Sequence, residues 1–342
     1  MTATDLTVVP EGRAKSLRTV LERLGDARNI VLTTHVNADG DGAGSEAAIA
    51  AWLAARGKEC RIINPTPFPE LLKFLLPSSD LVLEWGSAEA EAAVRGADLV
   101  VVLDTSEPNR IGGLANMVDA SRTMVVDHHP AGPSVVGDFA IQDPTAAATG
   151  ELIFDLLSVA DGPWPAASVL GIYVALVSDT GSFRFSNTTP RTHAITAELL
   201  ARGVDPEEVF QRLFATFPRR RLDLLRAALA NLHNDPKIGL SWMVIPASIV
   251  ESLGATPEDF EGLIDHARSI EGTNLAVLFR ETANGETKMS FRSNGVADVN
   301  RIARNFGGGG HVKAAGALVA EPIDVVVPRV LEFVRGELER QF

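Results

Sequence analysis

Apolar positions in the first half of the chain switch repeatedly between two rhythms. Asn29–His35 (NIVLTTH) is a short, β-branched, nearly continuous apolar run, as expected of a strand buried on both faces. Glu59–Asn64, Asp98–Asp104 (DLVVVLD) and Thr123–Asp127 read as further strands. Between them Ser45–Arg56 is alanine-rich and helical in spacing, with Gly57 placed to end it. Ala88–Arg95, Ala146–Ser158 and Ala166–Leu176 also carry helical spacing. This alternation predicts an α/β fold with a parallel, doubly wound sheet. After Thr189 the rhythm changes: Pro190–Arg202, Pro206–Phe214 and Arg219–Leu232 read as consecutive helices with no strand between them. Strands return at Ile238–Ile245, Leu275–Glu281 and Thr287–Arg292. They are followed by a helix at Ala297–Asn305, the run Gly307–Gly310 and a last helix from Val325 onward. The pattern predicts an α/β domain over 13–189, a helical linker over 190–236 and a smaller α/β domain over 237–342.

Length and composition agree with two domains. A chain of 342 residues is long for one core, and 46% hydrophobic residues suffice for two. No apolar run is long enough to span a bilayer, and MTATDLTVVPEGRAK lacks the basic-then-apolar order of a signal peptide, so the expected location is cytoplasmic. The single cysteine, Cys60, excludes an internal disulfide or a cysteine zinc cluster and reads as a small buried hydrophobe. A net charge of -13 argues against a groove for long nucleic acid, which would call for a basic face.

Polar residues with chemistry gather where apolar runs end. The first strand leads straight into His35-Val-Asn-Ala-Asp39-Gly-Asp41-Gly-Ala-Gly44-Ser45. DLVVVL ends in Asp104, TMVV ends in Asp127-His128-His129, and IYVALVS ends in Asp179. The last of these looks helical, although its apolar run fits a strand as well. In an open α/β sheet, ligands bind beyond the carboxyl ends of the strands. Alone, each Asp could be a cap and each His an ordinary hydrogen-bonding residue. Together, several carboxylates in one place repel, and divalent cations remove that repulsion. Carboxylates and imidazoles without thiolate suit Mn²⁺, Mg²⁺ or Fe²⁺ better than structural zinc. Gly40, Gly42 and Gly44 read as a tight turn that lets Asp39 and Asp41 face different ions.

The segments His35–Asp41 (H-x-x-x-D-x-D), Leu103–Thr105 (LDT), Asp127–His129 (DHH) and Ser178–Gly181 (SDTG) resemble the four motifs of the DHH phosphoesterase superfamily. Gly307–Gly316 (GGGGHVKAAG) is similar to the glycine-rich signature of its companion domain, DHHA1. Within that superfamily the chain most resembles the nanoRNase (oligoribonuclease) and 3',5'-bisphosphate nucleotide phosphatase group. One departure is Ala38, where many members have proline; it removes no ligand. The resemblance implies two divalent ions, Mn²⁺ foremost and Mg²⁺ next. His35, Asp39 and Asp104 would hold one ion; Asp41, Asp104, His128 and Asp179 the other, with Asp104 bridging. Asp127 would orient a histidine and His129 would face the substrate phosphate. In the second domain Gly309, Gly310 and His311 would approach the substrate, with Arg292 and Ser293 as an anion fork and Arg280 as a weaker candidate.

The implied substrates are nanoRNA, linear dinucleotides and 3',5'-bisphosphate nucleotide, taken in an interdomain cleft; no long nucleic acid and no membrane is expected as a partner. Apolar helices of the first domain are compatible with a homodimer. The competing readings on the same core are a single-strand exonuclease, an inorganic pyrophosphatase and a non-catalytic nucleotide-binding regulator. Arg219–Arg221 reads as a solvated helix face, and His193, His233 and His266 as structural or exposed.

Overall fold

The computed structural model describes residues 6–294, 297–310 and 312–340. The chain divides into two compact units, Met1–Ala215 and Thr216–Phe342.

The first unit opens with α1 (Glu11–Asp26), a helix that the sequence pattern above leaves out because charged residues dilute its apolar stripe. Leu17, Val20 and Leu24 still recur at helical spacing and are buried. There follow β1 (Asn29–Thr33), α2 (Gly40–Ala54), β2 (Glu59–Ile62), α3 (Ala88–Gly96), β3 (Leu99–Leu103), β4 (Thr123–Asp127) and β5 (Phe139–Gln142). The unit closes with α4 (Thr149–Ala160), α5 (Ala166–Asp179), α6 (Pro190–Ala201) and α7 (Pro206–Phe210). The strands form one wholly parallel sheet in the order β2-β1-β3-β4-β5. Chain direction across the sheet reverses between β1 and β3, which makes the carboxyl ends of those strands the topological switch point.

Burial explains the continuous apolar runs. Leu99, Val101 and Leu103 enter the large core shared with α1, α2, α4 and α5, while Val100 and Val102 enter a smaller one with α3. The run IYVALVS is helical, forming the last turns of α5. The start of α2 corrects an expectation. The helix begins at Gly40, and Gly40, Gly42 and Gly44 are not in the left-handed region that a tight turn would use. A Cβ at Gly44 would lie 2.5 Å from the Gly171 carbonyl oxygen on α5, and one at Gly42 would lie 2.5 Å from Thr34 Oγ1. These glycines admit close packing of α2 rather than a turn.

The second unit contains α8 (Arg219–Ala230), β6 (Leu232–Asp235), β7 (Leu240–Ile245), α9 (Ala247–Leu253), α10 (Leu263–Arg268), β8 (Leu275–Glu281) and β9 (Thr287–Ser293). It ends with α11 (Val299–Arg304), β10 (Gly309–Gly310), β11 (Ala314–Val319) and α12 (Ile323–Glu339). Its sheet runs β10-β11-β9-β8-β7-β6, with β7–β8 parallel and the other pairs antiparallel. Along β8, Leu275, Val277 and Phe279 pack with α11 and α12, while Ala276 and Leu278 pack with α8 and α10. The helices expected as a linker are thus built into cores: Ile195, Leu199 and Val209 in the first unit, Leu224 and Ala228 in the second. Among the described residues no helix is long and apolar enough to cross a membrane.

Candidate metal centre

The six expected ligands of the first unit converge past the carboxyl ends of β1, β3 and β4, joined by the last residue of α5. His35 Nε2 lies 3.3 Å from Asp104 Oδ2 and 3.9 Å from Asp39 Oδ1. His128 Nε2 lies 3.5 Å from Asp179 Oδ2, 3.6 Å from Asp104 Oδ1 and 3.7 Å from Asp41 Oδ2. Two ligand groups result, His35–Asp39–Asp104 and Asp41–His128–Asp179, each with donor atoms within 4.8 Å of one another. Asp104 turns Oδ2 to the first group and Oδ1 to the second. A third combination, Asp104–His128–His129, is also compact enough to hold an ion.

Local structure aims these groups. Asp104 follows the fully buried β3 and has φ 61°, a left-handed conformation that Asp tolerates better than most residues. Asp39 caps α2, with Oδ1 accepting from the Asp41 and Gly42 amides at 2.9 and 3.2 Å. The Nδ1 atoms of His35 and His128 lie 2.9 and 3.3 Å from the carbonyl oxygens of Val36 and Ala146. Those contacts place the ring hydrogen on Nδ1 and leave the Nε2 lone pair to the site. His128 Nε2 is buried with no hydrogen-bond partner among the described residues. Asp127 serves His129 and not His128: its Oδ1 accepts from the His129 backbone at 3.0 Å and pairs with His129 Nδ1 at 2.7 Å.

The electrostatics call for positive charge. Burial, and then the neighbouring carboxylates, push Asp41 and Asp104 well above the usual carboxylate range. Burial and the charge of Asp39 bring Asp179 up to about 6. Burial, reinforced by His129, lowers His128 to about 4, so it is the neutral form that a metal binds. Burial also pulls His129 down, but the Asp127 hydrogen bond and charge outweigh it and the net shift is upward. Buried oxygens that repel one another, a neutral imidazole at His128 and its unmatched buried lone pair fit divalent cations, as carboxylate–imidazole donor sets do generally.

Three residues escaped the sequence reading. Thr149 Oγ1 donates to Asp104 Oδ1 at 3.0 Å, and the Gly150 amide donates to Asp41 Oδ1 at 2.9 Å. Asn187 Nδ2 donates to the Asp179 carbonyl at 3.0 Å and to its Oδ2 at 3.3 Å. The signal for the first two lay in AAATG, a helix start without a capping side chain. Asn187 carries no comparable signal.

The expected substrate residues of the second unit lie on and beside its sheet. Arg292 is half-buried on β9, and its cation makes no ion pair among the described residues. Ser293 points to the opposite face and donates to the Ala297 carbonyl at 2.8 Å, so it is not brought together with Arg292. Arg280 lies over the Phe260 ring at 4.3 Å. Gly309 and Gly310 pair with Gly316 and Ala315 as an edge strand, and a Cβ at Gly309 would meet open space. His311 lies outside the described residues. The arginine run is engaged locally: Arg219 with Asp223, Arg220 with Asp259, and Arg221 with the Glu261 carbonyl.

Comparison with known proteins identifies the family. The model of the DHH family, N-terminal domain, matches residues 29–175, and that of the DHHA1 domain matches residues 244–340. A bifunctional oligoribonuclease and PAP phosphatase NrnA of Thermus thermophilus is 35% identical over 91% of this chain and 90% of its own length. The chain belongs to the DHH–DHHA1 family. A Bacillus subtilis member with the same name is 29% identical over 85% of this chain and 89% of its own. Among solved structures, an exopolyphosphatase-related protein from Bacteroides fragilis aligns with a TM-score of 0.87 at 25% identity, over 95% of this chain and 98% of that one. The segments His35–Asp41, Leu103–Thr105 and Asp127–His129 lie within the residues matched by the DHH model.

Proposed function

We propose that this DHH–DHHA1 protein is a two-metal phosphoesterase for very short nucleotides. It would cut nanoRNA and linear dinucleotides to mononucleotides, and 3',5'-bisphosphate nucleotide to nucleoside monophosphate and phosphate. The observation that carries the reading is Asp104, whose two oxygens address two separate ligand groups. The names of the Thermus and Bacillus relatives supply the substrate class.

His35, Asp39 and Asp104 would hold one ion, and Asp41, Asp104, His128 and Asp179 the other, with Mn²⁺ preferred for this donor set. When bound, the ions supply Lewis-acid neutralisation of charge developing on the phosphoryl oxygens. The chain's own groups do the rest. His129, its Nδ1 held by Asp127, presents Nε2 to a phosphate oxygen. Arg292, with Gly309, Gly310 and His311, binds the non-reacting end of the substrate, and Arg280 is a weaker contributor. Hydrolysis forms a phosphorus–oxygen bond to water and breaks the one to the leaving nucleoside oxygen. A net charge of -13 disfavours long polyanions, so rates should fall with chain length.

The test is a Mn²⁺-supplemented panel of a ribodinucleotide, a 3',5'-bisphosphate nucleotide, pyrophosphate and a long single-stranded RNA. Turnover of the first two, abolished by Asp104→Ala, is the expected result. Faster cleavage of the long RNA, turnover of pyrophosphate alone, or near-normal activity of the Asp104→Ala variant would overturn the reading.

A further inference from the structure

A helix needs acceptors for the free N–H groups of its first turn. The residue at the cap of α4, Ala148, has no side chain able to accept. The acceptor comes from α2 instead. Asp41 Oδ2 takes the Thr149 amide at 2.7 Å, and Asp41 Oδ1 takes the Gly150 amide at 2.9 Å. Gly150 has no room for a side chain there: a Cβ would collide with Ala175 Cβ on α5 and stand 3.6 Å from Asp41 Oδ1. The Thr149 hydroxyl adds a third bond, to Asp104 Oδ1 at 3.0 Å, and Thr149 is 0% exposed. One helical turn therefore grips two carboxylates, Asp41 by backbone and Asp104 by a hydroxyl.

The same turn is fastened from behind. Glu151 Oε2 accepts from the Ala147 amide at 3.1 Å, and its Oε1 takes Arg13 and Arg191 at 3.1 Å each. Arg13 also reaches Asp143 and Asp155, at 2.8 and 2.6 Å. The start of α4 is thus held on both sides. Asp41 Oδ1 also accepts from Ser45 Oγ at 3.4 Å, while Asp41 Oδ2 and both Asp104 oxygens each keep a lone pair for a cation.

We infer that Thr149 is a positioning residue that fixes Asp41 and Asp104 for metal binding, touching neither ion nor substrate itself. The hydroxyl orients the Asp104 oxygen facing the Asp41–His128–Asp179 group. This inference rests on the metal-centre reading and is independent of the substrate.

The experiment uses the full chain, stripped with a chelator and titrated with Mn²⁺ while free Mn²⁺ is followed by electron paramagnetic resonance, with no nucleotide present. Thr149→Val removes the hydroxyl but keeps both amides and most of the volume; Thr149→Ser keeps the hydroxyl. Thr149→Val should bind Mn²⁺ about 10-fold more weakly or worse, the usual effect of losing a group that orients a ligand, and Thr149→Ser should stay within about threefold of the parent. Circular dichroism checks the fold; if Thr149→Val does not fold, Thr149→Ala gives the same comparison with a smaller side chain. Parent-like binding by the hydroxyl-free variant, equal losses in the serine and hydroxyl-free variants, or no Mn²⁺ binding by the parent would each overturn the inference. A parent that binds Mn²⁺ but cleaves no nucleotide would overturn only the substrate reading.

Discussion

Glu46 lies on α2, wholly buried, with Oε2 accepting from Asn64 Nδ2 at 2.9 Å and Oε1 without a partner among the described residues. Burial raises its carboxyl from 4.5 to about 8, against the Asn64 hydrogen bond and the charge of His35. The folded protein therefore keeps a proton there that the unfolded chain releases near its ordinary value. Stability from this proton is complete below about pH 4.5 and is lost as pH rises through about 8. By pH 7 the difference amounts to roughly 3 kcal/mol. Glu46→Gln, neutral at every pH, should be more stable than the parent by about 2–3 kcal/mol at pH 7 and nearly equal to it at pH 4.5. Urea unfolding of both chelator-treated proteins across that range checks it, and a pH-independent difference would rule the proton out. Glu46 gave no sign of this in sequence, because burial of a carboxylate is decided by α2 and β2 folding over it. The candidate ligands His35, Asp104 and His128 were legible for the opposite reason: strand ends point at a switch point whatever the rest of the fold does. Thr149 and Asn187 stand at no strand end: Thr149 acts on Asp104, 45 residues away in sequence, and Asn187 on Asp179, eight residues back.

Helices α2 and α5 carry Asp41 and Asp179, and they approach each other through paired glycines. A Cβ at Gly44 would meet the Gly171 carbonyl oxygen at 2.5 Å, and one at Gly171 would stand 3.1 Å from the Ala48 amide nitrogen as well as striking the Gly44 carbonyl. Backbone cannot move aside as a flexible side chain can. Gly171→Ala should destabilise the protein by about 1–3 kcal/mol, the range for overpacked cores, and weaken Mn²⁺ binding by spreading the two carboxylates. Gly25→Ala, where a Cβ would meet nothing within 4 Å, is the control and should be neutral or slightly stabilising. Denaturant midpoints for the two variants settle the point; a Gly171→Ala protein as stable as Gly25→Ala would refute it. The alanine-rich stretch announced a helix but not its first turn, because glycines favour turns in isolation and only α5 makes small residues necessary. The core strands were legible because their runs are apolar on both faces. Ala314–Val319 was not: Ala and Gly favour strands weakly, and pairing with β9 on one side and β10 on the other decides the outcome.

The two units have separate cores, and every expected metal ligand belongs to the first. A cation that binds only the folded first unit must stabilise that unit and leave the second unchanged by direct linkage. Tryptophan placement allows the two to be read apart. Trp52, Trp85 and Trp164 lie in the first unit and Trp242 in the second, where it stacks on His233 at 5.2 Å. In a Trp242→Phe variant the fluorescence reports the first unit alone. Free Mn²⁺ at about a hundred times its dissociation constant adds about 2.7 kcal/mol per site, roughly 5–10 °C in midpoint for a unit of this size. A variant retaining only Trp242 should show no direct shift. Equal Mn²⁺ shifts from both reporters would mean that the units unfold as one, and no shift from either would remove the metal centre. In Asp104→Asn, which keeps the shape of the shared ligand but not its charge, the first-unit shift should shrink by more than half. A full-sized shift there would show that the ions are held without the carboxylate on which the two ligand groups converge.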